Sequence, residues 1–233
     1  MTGEVLPGQR AAGDDLPTPV AESATVEPTL ADVERVRRAA DEIHSPAMVE
    51  AALDRLATAV HEVLAGRNPI LLAVMNGGVV PAVRLQSRLR FLHQFDYVHA
   101  TRYASGTRGG ELRWLARPRI PLEGRAVLIV DDILDEGHTL KAIQAWCREQ
   151  GVGSLHTAVL TIKRHDRRVA GVEADFVGLD VPDRYVFGMG MDYCEYLREL
   201  NGIYACLLYT SPSPRDPLRY LVCRLLLEKG GGG

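Results

Sequence analysis

The sequence predicts an α/β fold, a doubly wound and mostly parallel sheet. Short apolar runs suited to buried strands, at residues 70–74, 127–130 and 155–160, alternate with amphipathic helical segments. Two of those runs lead directly into turns that open helical patterns, Met75-Asn76-Gly77-Gly78 and the segment 131–139. No internal repeat is visible.

Residues 1–28 hold four prolines, five acidic residues and no aromatic residue. Such a segment buries too little apolar surface to offset its ordering entropy, so a disordered extension is expected. Residues 31–43 read as a helix with Val33, Val36, Ala40 and Ile43 on one face. Ser45 and Pro46 are the N-cap and first residue of a second helix, which runs to Leu64. Its inward residues are Val49, Leu53, Leu56, Val60 and Leu64, and Gly66 ends it. After the strand at 70–74 and its turn, residues 80–89 form a helix. Residues 94–103 read as a strand, 106–110 as a loop and 112–115 as a short returning strand. The strand at 127–130 leads to a helix that starts at Leu140 and reaches Gln150. Strands at 155–160, 176–179 and 185–187 complete the pattern, the last two separated by Pro182-Asp183.

A chain of 233 residues suffices for one domain with a sizeable core. The net charge of -3 implies no large basic surface, so nucleic acid is not a favoured partner. No apolar run is long enough to span a bilayer, and no apolar signal-peptide core follows Met1, so a cytoplasmic location is expected. Cys147, Cys194, Cys206 and Cys223 include no CxxC pair, which indicates neither a zinc site nor a redox motif. Unpaired thiols in a reducing compartment are expected. From Cys206 the composition changes abruptly. The stretch 206–216 looks like one reading frame of a common sequencing adapter, and the chain closes in four glycines. Residues 206–233 are therefore expected to be a non-native tail.

The chemistry concentrates in Asp131-Asp132-Ile133-Leu134-Asp135-Glu136-Gly137-His138-Thr139. Two adjacent carboxylates follow an apolar strand, and a glycine-containing loop then opens a helix. Loop amides at a helix N-terminus hold phosphate, and paired carboxylates accept hydrogen bonds from sugar hydroxyls. A phosphorylated sugar is the ligand this arrangement suggests.

This segment resembles the phosphoribosyl pyrophosphate (PRPP) motif of type I phosphoribosyltransferases. The resemblance covers roughly residues 40–205 and extends to the purine site of the hypoxanthine-guanine branch, in Val181-Pro182-Asp183-Arg184-Tyr185-Val186-Phe187-Gly188 and Met191-Asp192-Tyr193. It implies the type I fold, with a small hood formed by chain-terminal segments over a domain at 29–205. It implies that Asp131 and Asp132 hold the ribose hydroxyls, directly or through Mg2+. The backbone of Glu136, Gly137, His138 and Thr139, with the Thr139 hydroxyl, would hold the 5′-phosphate. Asn76, Gly77, Gly78 and Arg198 would meet pyrophosphate. Lys163 would donate to the purine C6 oxygen, Tyr185 would stack on the base and the Val186 backbone would meet its edge. Asp192 matches a second metal-binding acid, and Arg102 and Tyr103 begin a mobile lid. Asp135 takes the acid/base role at purine N7.

The chain departs from the family pattern at four of these positions. Asn76 stands where Lys is frequent, Arg102 where Ser is usual, and Glu136 and His138 where a hydroxyl and a basic residue are common. The Glu136 side chain is expected to point to solvent, away from a phosphate, and His138 to supply pH-dependent charge. The implied activity is purine salvage, making IMP and GMP from PRPP and a 6-oxopurine, with Mg2+ and in a homodimer or homotetramer. Lys163 only donates hydrogen bonds, so it suits hypoxanthine, guanine and xanthine alike and disfavours adenine. A regulatory module that keeps the fold and senses PRPP or nucleotides is the alternative from another class. The presence of Asp135, Lys163 and Asp192 argues against it.

Overall fold

The computed structural model describes residues 28–102 and 112–206. Its elements are α1 (Leu30–Ala39), β1 (Asp41–His44), α2 (Pro46–Leu64), β2 (Ile70–Met75), α3 (Val79–Gln86), β3 (Gln94–Arg102), β4 (Leu112–Ala116), β5 (Ala126–Leu134), α4 (His138–Glu149), β6 (Ser154–Lys163), β7 (Phe176–Val181), β8 (Val186–Phe187) and β9 (Ile203–Ala205). Six strands form one sheet in the order β4-β3-β2-β5-β6-β7. Only the β3–β4 pair is antiparallel. Strands β1, β9 and β8 form a second, antiparallel sheet. That small sheet is the expected hood, with strands drawn from both ends of the domain.

Strand alternation divides the core in two. On β2, Leu71 and Ala73 pack with α2 and α3, while Ile70, Leu72 and Val74 pack with α4 on the opposite face. Both faces are covered, which is why β2 reads as a continuous apolar run. Ser45 caps α2 through its side chain and Pro46 opens it, as expected. Asp96 is buried, but its carboxylate accepts the amides of Tyr97, Arg119 and Ile120 and so ties β3 to the approach to β5.

Several boundaries differ from the sequence reading. The first helix stops at Ala39, and residues 41–44 pair with β9 instead of extending it. Ile43 keeps its apolar role by packing on the α2 side of the core, so its spacing from Val33 fits a helix without requiring one. Helix α3 covers Val79–Gln86, shorter than the expected 80–89. Strand β5 runs on to Leu134, so Asp131 and Asp132 lie within the strand and not beyond it. Helix α4 begins at His138, before Leu140. Strand β8 belongs to the hood and not to the main sheet, and β9 had no counterpart in the sequence reading. Tyr103, the loop at 106–110, residues 1–27 of the extension and the tail after Cys206 lie outside the described residues. Among the described residues, no helix is long and apolar enough to cross a membrane.

The turn between β2 and α3 packs directly on β5. A Cβ on Gly78 would lie 2.6 Å from the carbonyl oxygens of both Val74 and Val130. Both are backbone groups and not flexible side-chain ends, and the Val74 carbonyl also accepts the Gly78 amide at 2.8 Å. Gly78→Ala is expected to cost about 1–3 kcal/mol, the usual range for overpacking a filled site. Chemical denaturation measures it, and unchanged stability contradicts the packing argument.

Candidate functional site

The site sits at the C-terminal ends of β2, β5 and β6, where parallel sheets present their ligands. Strand β5 delivers the paired acids. The alternation of β5 slips by one residue across them: Val127 and Ile129 share a core face with Leu134, not with Ile133. The carboxylates take up backbone amides at this slip. The Asp132 amide donates to Asp131 Oδ1 at 3.0 Å, and the Ile133 amide donates to Asp132 Oδ1 at 2.7 Å. From β6, the buried Thr161 hydroxyl donates to the Asp132 carbonyl at 2.9 Å. Both carboxyls are therefore held in place before any ligand arrives.

Their charges are costly. Loss of solvation, and then the charge of Asp132, push the Asp131 carboxyl well above the usual carboxylate range. Burial also raises Asp132, against opposing hydrogen bonds and the nearby Arg198 charge. Asp132 additionally senses Asp192, so these three residues form one electrostatic group. Arg198 Nη2 lies 3.2 Å from Asp192 Oδ1 and 2.7 Å from Glu195 Oε2, while its Nη1 donates to the Gly190 carbonyl at 2.7 Å. The Glu195 amide donates to Asp192 Oδ2 at 2.8 Å.

The Met75–Asn76 peptide is cis, and Asn76 is exposed. A Cβ on Gly77 would meet Asp132 Oδ2 at 1.9 Å, and one on Gly190 would meet the Gly77 carbonyl at 2.0 Å. Gly190 also has φ +103, in the region that favours glycine. The turn after β2, the acids of β5 and the Gly190 loop thus share one close-packed junction. Gly77 and Gly78 are therefore required by packing, beside the turn and the pyrophosphate contact expected of them.

The loop from Asp135 to Thr139 connects β5 to α4. Gly137 is the N-cap residue with φ +82 and offers no side-chain cap, so the first amides of α4 have no capping side chain there. Glu136 does not stand free in solvent: its side chain is 28% exposed and lies 3.6 Å from His138 Nε2. Its carboxylate is directed at the His138 imidazole. Asp135 is held from β6 and the segment after it. Lys163 Nζ donates to Asp135 Oδ2 at 2.6 Å, and His165 Nε2 meets Oδ1 at 2.5 Å. Sequence reasoning missed His165. Its only signal was its place two residues beyond Lys163, at a strand exit beside the site.

Tyr185 packs edge-on against Tyr193 at 5.9 Å between ring centroids, and Val186 is buried at the start of β8. The preceding segment is tied to the β6 exit, because Arg167 forms a two-pronged pair with Asp183 at 2.7 and 2.8 Å. Arg102 ends β3, and Tyr103 lies outside the described residues. Among the described residues, no three His, Cys, Asp or Glu side chains form a ready metal cluster. Mg2+ characteristically takes only one or two carboxylates and completes its shell with water and substrate phosphate, so the oxygen donors of the Asp131–Asp132 pair, or of Asp192 by itself, are of the kind that fits it.

This sheet, its paired acids and its helix-start loop define a phosphoribosyl transferase domain, and that family matches residues 39–193. The hypoxanthine-guanine phosphoribosyltransferase of Streptococcus agalactiae serotype V is 31% identical over 137 residues, which is 58% of this chain and 76% of that protein. A solved hypoxanthine phosphoribosyltransferase from Staphylococcus aureus superposes with a TM-score of 0.69 at 27% identity, covering 73% of this chain and 93% of that one. The Trypanosoma cruzi hypoxanthine phosphoribosyltransferase, solved with its product IMP, gives 0.65 at 26% identity over 71% of this chain and 92% of that one. The chain belongs to the phosphoribosyltransferase family, in its hypoxanthine-guanine branch.

The charge cost at Asp131 has a measurable sign. A carboxyl whose pKa is raised by folding leaves stability intact while protonated, and that stability is lost as pH rises through the folded-state value. Asp131→Asn is therefore expected to raise the melting temperature at neutral pH. The gain should be about 2–4 °C, the shift that ~1 kcal/mol produces in a domain of this size. It should shrink as pH falls and the parent carboxyl takes up its proton. A lower melting temperature for the variant at pH 7 contradicts the assignment.

Proposed function

We propose that the chain transfers the 5-phosphoribosyl group of PRPP to N9 of hypoxanthine or guanine, giving IMP or GMP and releasing pyrophosphate. This is a purine-salvage activity. The observation that carries it is the Lys163–Asp135 pair, 2.6 Å apart beside the loop that opens α4. A 6-oxopurine presents its C6 oxygen and N7 side by side on one edge, whereas adenine presents an amino donor beside N7. With its ring hydrogen on N7, the 6-oxopurine edge offers a C6 acceptor to Lys163 and an N7 donor to the Asp135 carboxylate, whereas adenine sets its amino donor against Lys163.

The other residue roles are those the family resemblance implies. Asp131 and Asp132 accept the ribose hydroxyls. The amides of Glu136, Gly137, His138 and Thr139, with the Thr139 hydroxyl, receive the 5′-phosphate at the start of α4. Asn76, Gly77, Gly78 and Arg198 face the pyrophosphate. Tyr185 stacks on the base, and the Val186 backbone meets its edge. Arg102 and Tyr103 begin a lid that excludes water, which would otherwise hydrolyse PRPP at C1.

As the C1–O bond to pyrophosphate breaks, positive charge builds on the ribose and negative charge on the leaving group. Arg198 stabilises the latter. Asp131 and Asp132 would hold Mg2+, with Asp192 as the second metal-binding acid, and the ion would supply further neutralisation of phosphate charge. Asp135 accepts the purine proton, or stabilises it at N7, as N9 bonds to C1. The reading carries with it a cytoplasmic location and an assembly of two or four copies.

The test is Mg2+-dependent pyrophosphate release from PRPP with hypoxanthine, guanine, xanthine and adenine in parallel. Release with 6-oxopurines and not with adenine is expected. Asp135→Asn should lower turnover by about 10²–10³-fold, in the range of lost general acid–base catalysis, with PRPP affinity little changed. No release with any base, from folded protein that still binds PRPP, overturns the enzyme reading in favour of a sensor. Equal turnover in variant and parent removes Asp135 from its role.

A further inference from the structure

Both oxygens of Asp135 are engaged, and the two partners differ in kind. Lys163 holds Oδ2 with an ammonium on a flexible stem. His165 holds Oδ1 with a ring whose side chain is 2% exposed, against 27% for Asp135 itself. The imidazole thus stands behind the carboxylate, away from solvent. Its other nitrogen, Nδ1, accepts the Arg167 amide at 3.1 Å. A ring nitrogen that accepts an amide hydrogen carries none of its own, so the hydrogen sits on Nε2 and is donated to Asp135. The ring is held in turn by its neighbours. Arg167 is fixed by the two-pronged Asp183 pair, and Arg168 Nη2 donates to the Lys163 carbonyl at 3.0 Å. A chain of contacts therefore runs from Asp183, in the segment leading to Tyr185, through Arg167 and His165 to Asp135.

We infer that His165 is a positioning residue that fixes the Asp135 carboxylate for its work at purine N7. The inference rests on the transferase reading above. A 6-oxopurine offers Lys163 a carbonyl oxygen, and when Lys163 turns to it Asp135 Oδ2 is released. Without a second anchor the freed carboxylate would rotate about its own bonds. The His165 hydrogen bond on Oδ1 remains and keeps Oδ2 aimed at the base. His165 neither gains nor loses a proton in this role: its hydrogen stays on Nε2 throughout.

The experiment compares the full chain with His165→Leu, which removes the donor, and His165→Gln, whose amide donates at similar reach. Guanine and PRPP are the substrates, kcat and KM are measured separately, and PRPP affinity is measured by calorimetry. The Leu variant is expected to lose about 10- to 100-fold in kcat, the scale of a misplaced reacting group, with PRPP affinity retained. The Gln variant is expected to recover most of that loss. A Leu variant as fast as the parent overturns the inference. So does a Leu variant that loses PRPP binding and kcat in equal proportion, or a Gln variant no better than Leu. If the Leu variant does not fold, the His165 tautomer in the parent decides. Long-range proton–nitrogen correlation should show the hydrogen on Nε2, and a hydrogen on Nδ1 overturns the geometry. A parent inactive with every base defeats the transferase reading itself, which separates that failure from a failure of His165.

Discussion

The contact between the turn after β2 and the acids of β5 is the constraint on which the rest of the site depends. Gly77 leaves room for Asp132, Gly78 leaves room for the backbones of β2 and β5, and Gly190 leaves room for the Gly77 carbonyl. Three segments far apart in sequence meet within the space of one missing methyl group each. Any side chain at these positions would separate the acids from the turn. The paired carboxylates are then fixed by backbone amides, and Thr161 holds the Asp132 backbone carbonyl, so their orientation is set by the sheet and not by a ligand.

This precision has an electrostatic cost. Burial raises both Asp131 and Asp132, the Asp132 charge adds to the cost at Asp131, and Arg198 offsets part of the cost at Asp132. Arg198 also spans Asp192, Glu195 and the Gly190 carbonyl, so one guanidinium ties together the segment between β8 and β9, and its charge reaches Asp132. In the proposed reaction a cation and a pyrophosphate enter this group and redistribute its pairings. Lys163 and Asp135 likewise neutralise each other, and in the proposed reaction a base with a matching edge separates them. The site thus combines ion pairs, Lys163–Asp135 and Arg198–Asp192, with one acid pair whose charge is poorly compensated.

Much of the architecture was legible because local signals and tertiary packing agree. Ser45-Pro46 opens α2, the apolar run of β2 is buried on both faces, and the loop through Gly137 opens α4. The misreadings occur where tertiary pairing overrides local pattern. Residues 41–44 carry a helical spacing but pair with β9, whose sequence offers only Ile203, Tyr204 and Ala205 as a signal. Asp131 and Asp132 look like strand-terminating residues, yet β5 continues through them because their carboxylates take up the local amides. The residues of the PRPP and purine motifs were readable by resemblance. His165 and the Arg167–Asp183 pair were not, since their significance lies in a meeting of the β6 exit with the loop after β5.

The most direct measurement is a crystal structure with PRPP, Mg2+ and an unreactive 6-oxopurine analogue. The account places the ribose hydroxyls on Asp131 and Asp132 and the 5′-phosphate on the amides of residues 136–139. Lys163 should have moved from Asp135 to the C6 oxygen. A phosphate bound elsewhere, or a base seated with Lys163 still paired to Asp135, would contradict it.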